Sequence, residues 1–313
     1  MAAWKILLTD GLEENGQAIL RQSAQVDDRN GISPEELMQV VGEYDALIVR
    51  GRTKVTPAVF AAASKLKVVG RAGVGVDNID LAAAKEHKVT VVNSPMATTV
   101  AVAELTLGLL LSLIRDIPRA DAGLKNGNWL KKDLKGVELF QKTLGVIGFG
   151  RIGAGVAQRA MAFGMKVVGY DPALPADEIK KRGGEPVTLD QLLAQSDFIT
   201  LHIPLTADTK NLLNEAAFGK MKKGVRIVCA ARGGVIDEAA LVAALESGKV
   251  AGAALDVYAT EPPGKTLLTG HPKVVGTPHI GAETVEAQAR AAVDISNEVT
   301  AALKGESLRW RVA

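Results

Sequence analysis

Short apolar runs recur along the chain, separated by stretches with helical spacing. Trp4–Leu8, Ala46–Val49, Lys67–Val69 and Val89–Val92 are short, mostly apolar runs rich in β-branched residues. That pattern predicts strands covered on both faces, as in a parallel sheet, rather than the alternation of a one-sided sheet. Helix starts lie between them. Ser33-Pro34-Glu35-Glu36 offers an N-cap Ser, Pro at the first helical position and Glu at the third, a capping box. Thr56-Pro57 opens another helix in the same way. Strand and helix alternate over residues 1–94, which predicts one parallel α/β unit.

The pattern breaks at Asn93-Ser94-Pro95. An apolar helix is predicted from Thr98 to about Ile114, followed by a polar stretch, Arg115 to Gln141, with little periodicity. A second α/β series starts at Thr143, with strands at Leu144–Ile147, Val167–Tyr170, Phe198–Leu201, Val225–Val228 and Val250–Leu255. A last helix runs from about Glu283 to Lys304. With 313 residues, more than one core usually serves, the chain divides into two domains.

Composition narrows the classes. Only 4% of residues are aromatic, so the cores must be built from Ala, Val, Leu and Ile. The formal net charge is +2 with the signs interspersed, which offers no arm for nucleic acid. Cys229 is the single cysteine, so an internal disulfide is excluded and a reducing compartment is suited. Met1–Asp10 lacks signal-peptide design, and the greasiest run, Ala101–Ile114, is interrupted by Glu104 and too short to span a bilayer. A cytoplasmic protein with no membrane partner is expected.

The clearest motif is Gly148-Phe149-Gly150-Arg151-Ile152-Gly153. A strand leads into it and a predicted helix, Ala154–Phe163, leads out. A second strand ends at Asp171, 18 residues past Gly153. In this context Gly148 allows the tight turn, Gly150 lets the backbone approach a pyrophosphate, and Gly153 lets the helix pack on the strand. Asp171 would accept hydrogen bonds from ribose hydroxyls and repel a 2′-phosphate, favouring NAD over NADP. A second glycine run, Gly70 to Asp77, lacks the third glycine and an acidic partner at the right distance, and is expected to present backbone amides.

Of four histidines, His87 and His271 lie in polar, turn-like segments. His202, in Leu201-His202-Ile203-Pro204-Leu205, and His279, in Thr277-Pro278-His279-Ile280-Gly281, follow strands, where ligands of open α/β sheets bind. Arg232-Gly233-Gly234 follows another strand, and Asp256-Val257 leads to Glu261-Pro262. With these segments the sequence resembles the D-isomer-specific 2-hydroxyacid dehydrogenases over about residues 5 to 304, and within that family the phosphoglycerate dehydrogenases most.

The resemblance implies two Rossmann-like or flavodoxin-like parallel-sheet domains with a cleft between them. Residues 1–94 plus 283–313 would bind substrate, and residues 95–282 would bind NAD. It also implies that Arg232 holds the substrate carboxylate and carbonyl, His279 exchanges the proton, and Glu261 orients and charges His279. Cofactor-lining positions map onto Arg151, Ile152, Asp171, Ile203, Pro204, Ala230, Ala231, Asp256, Gly281 and Ala282. No metal is implied. The residue types suit these roles: an imidazole titrates near neutrality, and a guanidinium matches a 2-oxo acid.

Arg50-Gly51-Arg52-Thr53 resembles the arginine loop that faces a distal phosphate in phosphoglycerate dehydrogenases, and Lys131, two residues after Trp129, would reach the same region from a partner subunit. Gly73 and Val74 would bind the carboxylate through backbone amides; Val74 departs from the polar residue found in some members. The expected reaction is NAD-dependent oxidation of D-3-phosphoglycerate to 3-phosphohydroxypyruvate, the first step of serine biosynthesis, in a homodimer joined through the NAD domains. A glyoxylate or hydroxypyruvate reductase is the alternative. An NADH-sensing, non-enzymatic corepressor shares the fold but would bring a docking extension, of which the sequence shows no sign.

Overall fold

The computed structural model describes residues 4–313; the first three residues of the Met1–Asp10 segment lie outside them. The chain divides into two compact units, residues 1–98 with 282–313 and residues 99–281.

In the first unit β1 (Trp4–Leu8), β2 (Ala24–Asp28), β3 (Ala46–Val49), β4 (Val68–Arg71) and β5 (Thr90–Asn93) form a sheet in the order β2-β1-β3-β4-β5. Every pairing in it is parallel. This is the flavodoxin-like order. Alternate residues of each strand enter different cores. Leu7, Leu47 and Val69 pack with Tyr44 and Phe60 on one face, while Ile6, Leu8, Ile48 and Val68 pack with Ile295 and Val299 of the helix Val285–Lys304 on the other. Both faces being covered is why these strands read as unbroken apolar runs. The Ser33–Glu36 capping box forms as expected, whereas Thr56 precedes its helix without a side-chain cap bond. Residues 310–313 pair with β5 and cover that edge.

In the second unit β6 (Thr143–Ile147), β7 (Lys166–Tyr170), β8 (Glu185–Pro186), β9 (Phe198–Leu201), β10 (Val225–Cys229), β11 (Val250–Leu255) and β12 (Val274–Gly276) form a sheet in the order β12-β11-β10-β9-β6-β7-β8. Counted from β6, this is the Rossmann order with one strand added. The apolar helix Thr99–Ile114 buries Ala103, Leu107, Leu110 and Ile114 against Leu144, Val146 and Phe198. The stretch 115–141 is less irregular than its sequence suggests, because Ile117–Lys125 is a helix. Its buried stripe is too thin to give a periodic signal: Gly123 is its one fully buried residue. Three strands also escaped the pattern, β2, β8 and β12. Each lies at a sheet edge, where one neighbour suffices and a run of apolar residues is not required.

Candidate active site

Six strands of the second sheet end in register. Tyr170, Ile147, Leu201, Cys229, Leu255 and Gly276 form one row across it, through the pairs Ile147 with Tyr170 and Leu201, Cys229 with Leu201 and Leu255, and Leu255 with Gly276. Because all the strands run the same way, the next residue on each stands in a second row: Asp171, Gly148, His202, Ala230, Asp256 and Thr277. Chemistry-bearing residues far apart in sequence are thereby brought to one rim.

At β6 the helix Arg151–Ala162 starts immediately after Gly150, its N-cap, and Arg151, Ile152 and Gly153 form its first turn. A Cβ at Gly153 would overlap the Gly148 carbonyl oxygen, so this close helix–strand approach admits only glycine. Beside Gly150 there is open space within 4 Å, room for a phosphate group on the amides and dipole of the helix start. Asp171 Oδ2 accepts from the Phe149 amide at 2.8 Å and Oδ1 from the Ala173 amide at 2.9 Å, which holds the carboxylate beside the glycine turn. Ile203, partly buried, packs over Gly148 and Pro204 follows it, exposed; Ala230 and Ala231 are buried. Ala282 opens the second segment of the first unit. The glycine turn, helix start and acid fit a dinucleotide pyrophosphate and its ribose.

His279 and Glu261 form a pair near the end of β12. His279 Nδ1 lies 2.7 Å from Glu261 Oε2, and Glu261 Oε1 accepts from the Tyr258 amide at 3.0 Å. His279 has φ 54°, a left-handed backbone uncommon for a residue with a side chain. Asp256, 1% exposed, holds that turn: Oδ1 accepts from Thr277 Oγ1 at 2.6 Å and from the Ile280 amide at 2.8 Å, and Oδ2 from the Gly281 amide at 2.8 Å. The Asp256 carboxylate thus serves the segment carrying His279, a task that sequence spacing did not suggest.

Electrostatics follow from these contacts. The Glu261 bond raises the His279 pKa most; burial opposes it, the Glu261 and Asp256 charges add to it, and Arg232 works against it. On Glu261, burial pushes the carboxyl up, but the His279 and Tyr258 bonds and the His279 and Arg232 charges together hold it below its ordinary value. Arg232 donates from Nη1 to the Ala231 carbonyl at 2.6 Å. A Cβ at the next residue, Gly233, would overlap the Tyr258 carbonyl, so the Arg232 turn and the Glu261 turn lie against each other. His202 is different: burial pushes it down to about 3, and it contacts Thr200 Oγ1 through Nε2. Cys229 is buried, with its thiol pushed up to about 11, and is no nucleophile.

In the first unit the residues expected to grip anions already have partners of their own. Arg52 donates to the Thr9 carbonyl at 2.5 Å and the Ile32 carbonyl at 3.1 Å, and pairs with Asp10 at 3.1 Å. Arg50 pairs with Glu283 at 3.0 Å. Asp10 also accepts from the Arg50 amide (2.7 Å), the Thr53 amide (3.1 Å) and Thr53 Oγ1 (2.5 Å). Asn78 donates to the carbonyls of Arg50 (3.0 Å) and Thr53 (2.7 Å). The Gly73 amide donates to Ser94 Oγ at 2.7 Å. Val74 has its carbonyl bonded by Asn93 Nδ2 at 2.7 Å. Lys131 is exposed in the second unit, next to Leu130, which packs on Gly123.

Residues 107–281 match the model of the D-isomer specific 2-hydroxyacid dehydrogenase NAD binding domain. The chain belongs to that family. It is 52% identical over 304 residues to D-3-phosphoglycerate dehydrogenase 2, chloroplastic, of Arabidopsis thaliana, covering 96% of this chain and 49% of that protein. It is 49% identical over 303 residues to the D-3-phosphoglycerate dehydrogenase of Methanocaldococcus jannaschii, covering 96% of this chain and 58% of that one. The chain therefore spans about half the length of the curated relatives it matches. Among solved structures it resembles a glyoxylate reductase from Paecilomyes thermophila, with TM-score 0.91, 32% identity and coverage of 100% of this chain and 99% of that one. The cofactor of this unit is NAD. Among the described residues, no cluster of His, Cys, Asp and Glu could hold a metal ion, and no helix is long and apolar enough to cross a membrane.

Proposed function

We propose that the chain is a dehydrogenase oxidising D-3-phosphoglycerate to 3-phosphohydroxypyruvate, the opening step of serine biosynthesis. The observation that carries this reading is the His279–Glu261 pair, 2.7 Å apart, on the rim that also bears the dinucleotide turn. Held at the Gly148–Gly153 turn and Asp171, NAD would supply the hydride acceptor for C2. The chain's own residues handle the proton and the charge. With Nδ1 bonded to Glu261, His279 presents Nε2 to take the proton from the substrate's O2 and to return it in the reverse direction. The Glu261 charge stabilises the imidazolium so formed, and Asp256 keeps the ring-bearing turn in place. Arg232 would hold the carboxylate and O2, where negative charge gathers.

Substrate choice rests on likeness to relatives named for D-3-phosphoglycerate, together with the basic loop at Arg50 and Arg52, with Lys131 reaching it from a second copy. The first unit would then bind substrate. Homodimerisation is supported by the exposed apolar side chains of residues 117–140, where Trp129 is 78% and Leu124 60% exposed. A single buried thiol suits the reducing cytoplasm. The alternative, a glyoxylate or hydroxypyruvate reductase, is favoured by the pairing of both loop arginines with acidic residues of the same unit and by the likeness to a glyoxylate reductase. The deciding experiment assays D-3-phosphoglycerate, D-glycerate, D-lactate and glyoxylate with saturating cofactor. A kcat/KM highest for the phosphorylated acid supports the proposal; a preference for glyoxylate sinks it, and no turnover of any acid would leave an NADH-binding regulator.

A further inference from the structure

Resting on the reading of the arginine loop as the distal-phosphate contact, we propose that Glu283 is an internal competitor for that phosphate and sets the affinity for phosphorylated substrate. The loop's backbone is locked from two sides, by Asp10 accepting from the amides of Arg50 and Thr53 and by Asn78 donating to the carbonyls of the same residues. Arg52 is locked too, its guanidinium bonded to two backbone carbonyls and paired with an Asp10 carboxylate that is only 5% exposed. These bonds commit both Nη1 and Nη2, although the Arg52 side chain is 49% exposed.

Arg50 is held differently. Its side chain meets Glu283, whose own side chain is 52% exposed, and both carboxylate oxygens approach the same nitrogen, Nη2, at 3.0 and 3.3 Å. This contact does not use the two-nitrogen edge of the guanidinium, the geometry that matches a phosphate. With Arg50 23% and Glu283 52% exposed, the pair is open to solvent on its carboxylate side, where an anion can exchange with Glu283. Gln288 Nε2 donates to Glu283 Oε1 at 3.2 Å and Ala282 O at 2.8 Å, so Gln288 keeps the carboxylate near Arg50. A substrate dianion reaching Arg50 either displaces Glu283 or sits beside its charge. Both are unfavourable, and both vanish when the charge is removed.

Glu283→Gln keeps the shape and an acceptor for Gln288 but not the charge. It should lower KM for D-3-phosphoglycerate roughly two- to fivefold, the size of an exposed ion pair. KM for D-glycerate, KM for NAD and kcat should stay unchanged. Calorimetric binding of inorganic phosphate should tighten by the same factor, and Glu283→Ser gives a second route if Glu283→Gln folds poorly. Arg50→Gln, measured in parallel, should raise KM for the phosphorylated acid alone. If Arg50→Gln behaves so while Glu283→Gln leaves that KM unchanged or raises it, Glu283 aims Arg50 rather than competing, and the proposal is overturned although the loop reading stands. If Arg50→Gln affects both acids equally, the loop does not read phosphate and both ideas fall.

Discussion

The two sheets place polar residues on their carboxyl rims by the same device and use them in opposite ways. Around His279 the charged groups complete one another: Glu261 fixes Nδ1 and Asp256 fixes the turn, which leaves Nε2 as the nitrogen the Glu261 contact does not use. At Arg50–Thr53 the charged groups satisfy one another, with Asp10 and Glu283 answering the arginines. The first arrangement is preorganised for a reaction, because little has to move when charge develops. The second is organised for its own stability, and a ligand must compete for what it needs.

That contrast can be broken at several points. The largest effect should come from His279→Asn, which removes the proposed proton carrier but retains a residue comfortable with φ above zero. It should lower kcat by about 10²–10⁴ while leaving the NAD dissociation constant unchanged. Steady-state kinetics with fluorescence titration of the cofactor checks this, and near-wild-type turnover would mean that another group moves the proton.

Next in size is Asp171→Ala. Loss of a charge-assisted hydrogen bond should cost about 1–3 kcal/mol in kcat/KM for NAD and relax discrimination against NADP. A wild-type enzyme preferring NADP would remove Asp171 from this role. Arg52→Ala should then separate bracing from binding. It removes a donor from two carbonyls and the one cation paired with the Asp10 carboxylate, which keeps its bonds to Arg50 N, Thr53 N and Thr53 Oγ1, so stability should fall by about 1–2 kcal/mol, read as a lowered urea midpoint. An unchanged midpoint would show that the loop is less tightly tied than its hydrogen bonds indicate.

The smallest effect should come from Glu261→Gln. Glu261 raises the His279 pKa, so the wild-type imidazolium persists above the ordinary histidine range. Oxidation needs the neutral ring and rises as pH climbs through that raised pKa; reduction needs the charged ring and falls there. Without the carboxylate charge both limbs should move to lower pH. Paired pH–rate profiles would show it, and unmoved limbs would detach Glu261 from the titration.

Much of this architecture was legible beforehand because it is written in local pattern. Central strands such as Ala46–Val49, Phe198–Leu201 and Val250–Leu255 sit where their apolar runs ended. What stayed hidden was decided by distant partners. Asp10 looks like an ordinary turn residue until β1 and β3 pair and bring Arg50 beside it, 40 residues on. Ser94 marked only a break in the pattern, yet its hydroxyl takes the Gly73 amide that was expected to serve substrate. Asp256 was placed on the right rim by its strand, but nothing in its neighbours announced three bonds to residues 277–281.

The helix Val285–Lys304 has a consequence for how the protein comes into being. It supplies Ile295 and Val299 to one face of a sheet whose strands are all complete by Asn93. On the ribosome, those strands emerge roughly 200 residues before the helix that shields them, about 10–40 seconds at ordinary elongation rates. The second unit, drawn from one uninterrupted segment, has no such wait. A chain truncated at residue 282 and released should therefore hold a protease-resistant second unit behind a digestible first one. The order of synthesis leaves the oldest part of the polypeptide the last to mature, and makes it the natural client of a chaperone.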